Sequence, residues 1–275
     1  MKEVVIFIIN YKSDDFLFRF LNSVYQAKQE LDISLDIVVL DNSEKSEKEN
    51  QNIKTKLENE KLSVTFQCND KNLGYFGPIP IAQEYLRTRD PDYVIYCNPD
   101  LRLDKQFFKE LLNSSVNGII APAIISESKN IDQNPKYLYK LSLEKMQRLK
   151  LIYGNSILYT LFFVMANFKE FLENFLKKRK TITKQPIKNI YAPHGAMFIF
   201  KNVDFFKSLK EFPCFLFGEE IFIAEEALKN NVCIDYMPEL RVFDIRHASI
   251  SLLSTKFKRE LYYSSINYLF KEYYK

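Results

Sequence analysis

Two acidic positions far apart in the chain carry the residue types that chemistry needs. Residues 93–104 read Tyr-Val-Ile-Tyr-Cys-Asn-Pro-Asp-Leu-Arg-Leu-Asp, an apolar strand that stops at Pro99 and delivers Asp100 at its tip. In open α/β sheets, ligands sit in the crevice beyond the carboxyl ends of the strands, so an acid there could hold a divalent cation and a phosphorylated ligand. The competing reading is a turn, because Asn-Pro favours turn initiation and Asp is a common helix cap. Asp104 already offers a cap to the helix expected over 105–112, which leaves Asp100 spare. The second position is the pair Glu219-Glu220, which opens a helix carrying Ile221, Phe222, Ile223, Ala224, Ala227 and Leu228. The helix dipole alone could explain acids at that end. Gly218 before them permits close approach of backbone and ligand. A carboxylate here, facing Asp100 across a cleft, would suit a general base acting on a hydroxyl. Burial among Phe215, Phe217 and Phe222 is expected to raise its pKa into a useful range.

These positions require elements that bring them together. The first half of the chain alternates strand and helix. Residues 4–9 are a continuous apolar run, as expected of a parallel strand covered on both faces. Ser13, Asp14 and Asp15 then suit a helix start, followed by Phe16, Leu17, Phe20, Leu21 and Val24 at helical spacing. Residues 35–40 form a second strand, a Lys/Glu-rich helix runs to about residue 61, and Leu62, Val64 and Phe66 alternate as a third strand. Residues 78–89 read as helix and 93–97 as the fourth strand, giving right-handed βαβ units and a mostly parallel sheet. Later, residues 191–200 read as a strand entered through Pro-His-Gly, 232–236 as another, and 256–275 as an amphipathic helix.

A chain of 275 residues can bury a substantial core, as one domain or one with an appendage. Hydrophobic residues at 47% and aromatics at 15% exclude a disordered chain. The net charge of +4 argues neither way on nucleic acid, and no RNP-like or zinc-finger pattern occurs, so none is expected as a partner. Cys68, Cys97, Cys214 and Cys233 form no Cys-x-x-Cys pair, which favours a reduced, intracellular protein. The first apolar run is too short for a signal peptide. No Gly-x-Gly-x-x-Gly follows it, and six glycines in all count against a dinucleotide dehydrogenase or a P-loop. Phosphates held here would need a metal to neutralise them.

The middle of the chain changes character. Residues 151–168 contain no charged residue, and the basic run Lys177-Lys178-Arg179-Lys180 follows. By length this borders on a membrane span, but Gly154, Asn155, Ser156, Thr160 and Asn167 weaken that reading. One crossing would also put Asp100 and the later half on opposite sides of the bilayer. An interfacial helix with a basic flank fits better, and a helix packed on the core is the alternative.

The motifs occur in the order seen in family 2 glycosyltransferases. The sequence resembles these inverting nucleotide-sugar enzymes of GT-A fold, especially their rhamnosyltransferase-like branch. The matching segments are Ile9-Asn10-Tyr11-Lys12-Ser13, Val38-Val39-Leu40-Asp41-Asn42-Ser43, Asn72-Leu73-Gly74-Tyr75-Phe76-Gly77 and Cys97-Asn98-Pro99-Asp100. Further on come Gly195-Ala196-Met197-Phe198-Ile199-Phe200, Phe217-Gly218-Glu219-Glu220 and His247-Ala248-Ser249. The resemblance implies a Rossmann-like, mostly parallel sheet flanked by helices. Residues 1–125 would form the nucleotide-sugar half, 126–188 a helical, membrane-associating insertion, 189–255 the acceptor half and 256–275 a C-terminal helix. It implies that Tyr11 and Asp41 contact the base and ribose of the donor, with Asn72 and Asn98 in the same pocket. Asp100 takes the place of the last acid of the family's Asp-x-Asp motif, binding Mg²⁺ or Mn²⁺. Glu220 falls where the family carries its catalytic base, with Glu219 beside it. His247 falls near the metal or phosphates in some relatives, and His194 is a turn or acceptor-pocket residue. Three departures stand out: Glu as the base rather than Asp, Phe222 where relatives often carry an acid, and Pro78 and Pro80 in a usually Gly- and Asn-rich stretch.

The resulting expectation is sugar transfer from a UDP- or dTDP-sugar to a hydroxyl of a growing glycan or lipid-linked acceptor. The enzyme would be cytoplasmic and peripheral on the inner face of the cell membrane, serving polysaccharide or lipopolysaccharide synthesis. The rivals are a glycan-binding or scaffold protein with a decayed site at the membrane surface, and a sugar-phosphate nucleotidyltransferase. The latter normally needs a Gly-rich, basic loop after the first strand, and Asn10-Tyr11-Lys12-Ser13 is not one.

Overall fold

The computed structural model describes residues 1–175, 185–245 and 254–274. The first half runs β1 (Lys2–Asn10), α1 (Asp14–Lys28), β2 (Ile33–Asp41), α2 (Glu47–Glu58), β3 (Val64–Cys68), α3 (Ile79–Tyr85) and β4 (Tyr93–Cys97). Next come β5 (Leu101–Leu103), α4 (Phe107–Leu112), β6 (Ile119–Ser126), β7 (Ile131–Asp132), α5 (Leu143–Gly154) and α6 (Ser156–Phe175). The chain continues through β8 (Met197–Phe200), α7 (Val203–Ser208), α8 (Glu219–Lys229), β9 (Ile234–Asp244) and α9 (Thr255–Tyr273).

These strands make one sheet in the order β3-β2-β1-β4-β8-β6-β9-β5, with β7 paired to β6. β1, β2, β3 and β4 are mutually parallel, as are β6 and β9, while β8 runs antiparallel to both β4 and β6. β4 and β8 are thus hydrogen-bonded neighbours although the two helices α5 and α6 separate them in sequence. Alternation along β1 divides the core: Val5, Phe7 and Ile9 belong to one hydrophobic cluster, Val4, Ile6 and Ile8 to the other. Both faces are covered, which is why β1 reads as unbroken apolar sequence.

Several expected boundaries shift for local reasons. The helix expected over 78–89 is confined to Ile79–Tyr85. The strand read into 191–200 begins only at Met197, because Ala192 is instead bridged to Tyr137. The strand expected at 232–236 extends to Asp244, pairing with β6 through a register shift at Pro122/Ala123 and then with β5. Ser13 does not cap α1 with its side chain; its hydroxyl donates to the Tyr11 carbonyl at 2.9 Å. α2 has a full capping box between Ser46 and Glu49, the arrangement its sequence favours. The four cysteines are free thiols.

Phe222, at a position where an acid would suit an acceptor pocket, is fully buried instead. Its ring lies 4.8 Å from that of Phe212 and 6.2 Å from that of Phe76, inside the first of the two clusters. Phe222→Ala is expected to cost about 3–5 kcal/mol of stability, the range for deleting a buried aromatic ring. Guanidinium denaturation measures this, and a loss under about 1 kcal/mol would contradict a core role.

Candidate active site

The carboxyl ends of β1, β2 and β4 lie side by side, with Asn10 opposite Asp41 and Ile8 opposite Cys97. The chain winds outward from β1 through β2 to β3, then returns to the other side of β1 for β4. That reversal opens the crevice in which open α/β sheets receive ligands. Tyr11 follows β1 directly and is half-buried, with the Lys12 ammonium 5.2 Å from its ring centre. Asp41 is buried and its carboxylate is engaged within the chain. Oδ1 accepts from Asn10 Nδ2 (3.2 Å), the Ser43 amide (3.1 Å) and the Ser43 hydroxyl, and Oδ2 accepts from Lys45 Nζ at 2.6 Å. Lys45 also reaches Asp14 at 2.7 Å. Burial alone would lower the Lys45 ammonium pKa, but its bonds to Asp14 and Asp41 outweigh that and the net shift is upward.

The same loop reaches Asn72. Asn42 Nδ2 donates to the Gly74 carbonyl (2.8 Å), and Asn72 Oδ1 accepts from the Gly74 amide (2.9 Å). Gly74 has φ +77°, and a Cβ there would collide with the Phe215 carbonyl oxygen, so only glycine fits. The next amide, that of Tyr75, donates to this same carbonyl at 3.3 Å. The Tyr75 hydroxyl is buried without a hydrogen-bond partner. Burial pushes its pKa well up, and Cys97, Tyr96, Glu219 and Asp100 add to the shift.

Asn98 and Asp100 sit where β4 meets the later half. The Asn98 amide donates to the Ala196 carbonyl (3.0 Å), and the Asp100 carbonyl accepts from the Ile245 amide (3.1 Å). One residue before Ala196, a Cβ on Gly195 would stand 3.2 Å from Glu220 Oε1, so the glycine leaves room for that carboxylate. Lys136 Nζ approaches the same oxygen at 3.7 Å, and the Glu220 side chain keeps 17% of its surface open. Its neighbour Glu219 is only 6% exposed. Burial first, then the charge of Glu220, pushes the Glu219 carboxyl up to about 8. The raised pKa expected of one acid among Phe215, Phe217 and Phe222 thus falls on Glu219. Phe222 points into the core, and Phe217 stacks on Tyr262 at 3.8 Å.

His194 holds its own turn. Its amide donates to Asn134 Oδ1 (2.7 Å), and its Nδ1 accepts from the Ala196 amide (3.2 Å). His247 lies outside the described residues. α9 fixes the turn before α8: Ser265 Oγ donates to the Leu216 carbonyl at 2.8 Å, and Leu269 packs where a Gly218 Cβ would be. Four residues that bear on the site were not foreseen. Lys45 had a signal, standing four residues after Asp41, and Asn10 and Tyr75 lay within motifs already picked out. Lys136 had none, because its approach to Glu220 depends on how residues 134–137 cross the start of β8.

Among the described residues, no group of three or more His, Cys, Asp or Glu side chains comes together to cage a metal ion. Mg²⁺ and Mn²⁺ at phosphate sites keep waters and phosphate oxygens, and need only one or two protein carboxylates. Asp100 fits as such a contribution and does not make a site alone. A groove of about 580 Å³ lies elsewhere, at the amino end of β3 between Lys54 and Phe66, and contains none of these residues.

No family model and no curated protein matches the chain. Among solved structures it is similar to GalNAc-T7 with UDP, GalNAc and Mn²⁺, at 14% identity and a TM-score of 0.56. That match covers 90% of this chain but 44% of the GalNAc-T7 chain, so the present chain spans less than half of that protein. It is also similar to S. aureus TarS 1–349 in complex with UDP-GlcNAc, at 14% identity and a TM-score of 0.54, covering 99% of this chain and 73% of that one. Strand order, the crevice beyond β1 and β4, and these two likenesses agree: the chain has the GT-A glycosyltransferase fold.

Proposed function

We propose that the protein is a glycosyltransferase that moves a sugar from a nucleoside diphosphate to an acceptor hydroxyl with inversion at the anomeric carbon. The observation that carries this reading is the backbone bond from Asn98 to Ala196, which joins the strand end bearing Asp100 to the turn whose Gly195 lies against the Glu220 carboxylate, at the strand-order reversal of a GT-A sheet. UDP in both neighbouring structures supports a uridine donor over a thymidine one. The motif order supports an inverting family 2 type of enzyme, with rhamnose or a hexose as the transferred sugar.

Each residue then has a task. Tyr11, Asn72 and Asn98 line the donor pocket. Asp41 orders the loop on which base and ribose rest, and contacts them directly only by trading one of its bonds to Asn10, Ser43 or Lys45. Asp100 is the residue that would hold Mg²⁺ or Mn²⁺, which when bound neutralises the diphosphate and stabilises it as leaving group. Glu220 takes the proton of the acceptor hydroxyl as that oxygen forms its bond to the anomeric carbon and the bond to the diphosphate breaks, its electron pair leaving with the phosphate oxygen. Partial exposure suits Glu220 to meet an acceptor. Glu219 is sealed in and keeps its proton at neutral pH, so it adds no second negative charge beside the base. His194 shapes the acceptor side through its turn. A glycan or lipid-linked acceptor suits a polysaccharide-building enzyme on the inner face of the cell membrane.

Nucleoside diphosphate release from a panel of UDP- and dTDP-sugars with Mn²⁺ tests the reaction. Asp100→Ala and Glu220→Gln are each expected to lower kcat by about 100- to 10,000-fold with unchanged circular dichroism. Normal turnover in folded Glu220→Gln would remove Glu220 as the base.

The raised Glu219 pKa has a stability consequence. Below about pH 4.5 the carboxyl is protonated folded and unfolded alike. As pH rises towards 8, the unfolded chain releases the proton and the folded chain does not, so stability falls. Glu219→Gln should therefore be more stable than the parent at pH 8, on the order of 1–3 kcal/mol, with the gap closing towards pH 4.5. Thermal melts across this range measure it, and a gap that widens on acidification would refute the assignment.

A further inference from the structure

α6 turns its apolar face away from the protein. Ile157, Leu161, Val164, Met165 and Phe168 recur at i, i+4, i+7, i+8 and i+11, one stripe of a helix, and each is 55–70% exposed. The opposite side supplies Tyr159, which is buried against Tyr153 of α5. An ordinary surface helix is oriented the other way round, with its apolar stripe in the core. Leu151 of α5 and Phe257 of α9 are also exposed, and an apolar stripe of this kind left open marks an interaction site.

Charge around this face is mostly basic, with Glu144 beside Lys145 and Glu260 beside Arg259 as the acids. From Lys145 to Phe168 there is no acidic residue, while Lys145, Arg148 and Lys150 are basic. The first turns of α9 add Lys256, Lys258 and Arg259, and Arg259 reaches the Tyr153 and Gly154 carbonyls at the α5–α6 junction (3.3 and 3.4 Å). Two copies meeting through this face would set like charges against each other. An anionic lipid surface would neutralise them and take up the apolar stripe. No single described helix is long and apolar enough to cross a bilayer, and α5 and α6 pass such a test only as a pair bent by 109°. The strands on either side of them, β7 and β8, belong to one sheet, which a single crossing by α5 and α6 would not allow.

An aromatic ladder links the protein-facing side of α6 to the site. Phe162 of α6 meets Tyr153 edge-on (6.4 Å), Tyr153 stacks on Tyr262 (5.0 Å), and Tyr262 stacks on Phe217 (3.8 Å), the residue before Gly218-Glu219-Glu220. We propose that α6 docks on an anionic lipid bilayer at headgroup depth and that the ladder holds the turn before α8 at a fixed height over that surface. Docking is independent of the transfer reaction. Only the consequence that an acceptor hydroxyl is presented from the bilayer rests on that reading.

Flotation of the full chain with phosphatidylcholine vesicles, with and without roughly a third phosphatidylglycerol, tests this without donor or acceptor. Binding to the anionic vesicles is expected to be at least about tenfold tighter and to weaken in high salt. Leu161→Gln with Met165→Gln should lose about tenfold or more with an unchanged thermal melt, since both side chains are exposed. Lys256→Glu with Lys258→Glu should lose the preference for anionic lipid. Absence of binding by the parent chain would overturn the proposal, as would equal binding to both vesicles. So would self-association in sedimentation that the Leu161/Met165 variant abolishes, because a second copy would then be the occupant. Failure of flotation leaves the nucleotide-release assay untouched, and the reverse also holds.

Discussion

The two halves of the site meet at one stretch of backbone, where the loop carrying Gly74 and Tyr75 lies against the Phe215 carbonyl. The Tyr75 amide donates to that carbonyl, and Gly74 comes so close that any side chain would collide with it. Because this contact is fixed, the Tyr75 phenol is carried inward and its hydroxyl is buried without a hydrogen-bond partner, which raises its pKa. The rest of the arrangement depends on the approach. Asn42 and Asn72 hold the Gly74 side, while Ser265 and Leu269 of α9 hold the turn on the other. The C-terminal helix is therefore part of the site's scaffold, since it braces the turn that launches α8.

Four acids around the crevice meet the cost of burial differently. Asp41 is buried as a charge and compensated by Lys45, Asn10 and Ser43, the network a carboxylate out of water requires. Glu219 is buried more deeply than the weak pull of Lys136 can offset, and the net effect on its carboxyl is a raised pKa. Glu220 stays partly open beside Lys136, and Asp100 lies half-buried at the sheet edge of the crevice. The two adjacent glutamates differ because a helix turns about 100° per residue. The first carboxyl is engaged by the Phe217 and Glu219 backbone, and the second lies against Gly195.

Much of this was legible in the residues. Unbroken apolar runs gave the buried parallel strands, and Asp100 beyond Pro99 and the acid pair after Gly218 stood out because their types suit chemistry better than packing. The uncharged middle stood out in the sequence, but neither its exposure nor its break at Asn155 into two helices at a steep angle was legible there. Phe222, read as an apolar position of that helix and as a departure from the resembling family, lies in the core.

By itself the sequence determined the local elements, since alternation, helical spacing and turn residues act over a few positions and carry their own signal. It also supplied the residue types at the strand ends. Only the tertiary structure decided which of two neighbouring glutamates is sealed, that Asp41 is already paired with Lys45, and that α6 shows its apolar face outward. Those outcomes depend on which surfaces meet across the sheet. Desolvation and charge pairing are set by neighbours brought from distant parts of the chain, and no short stretch of sequence encodes them.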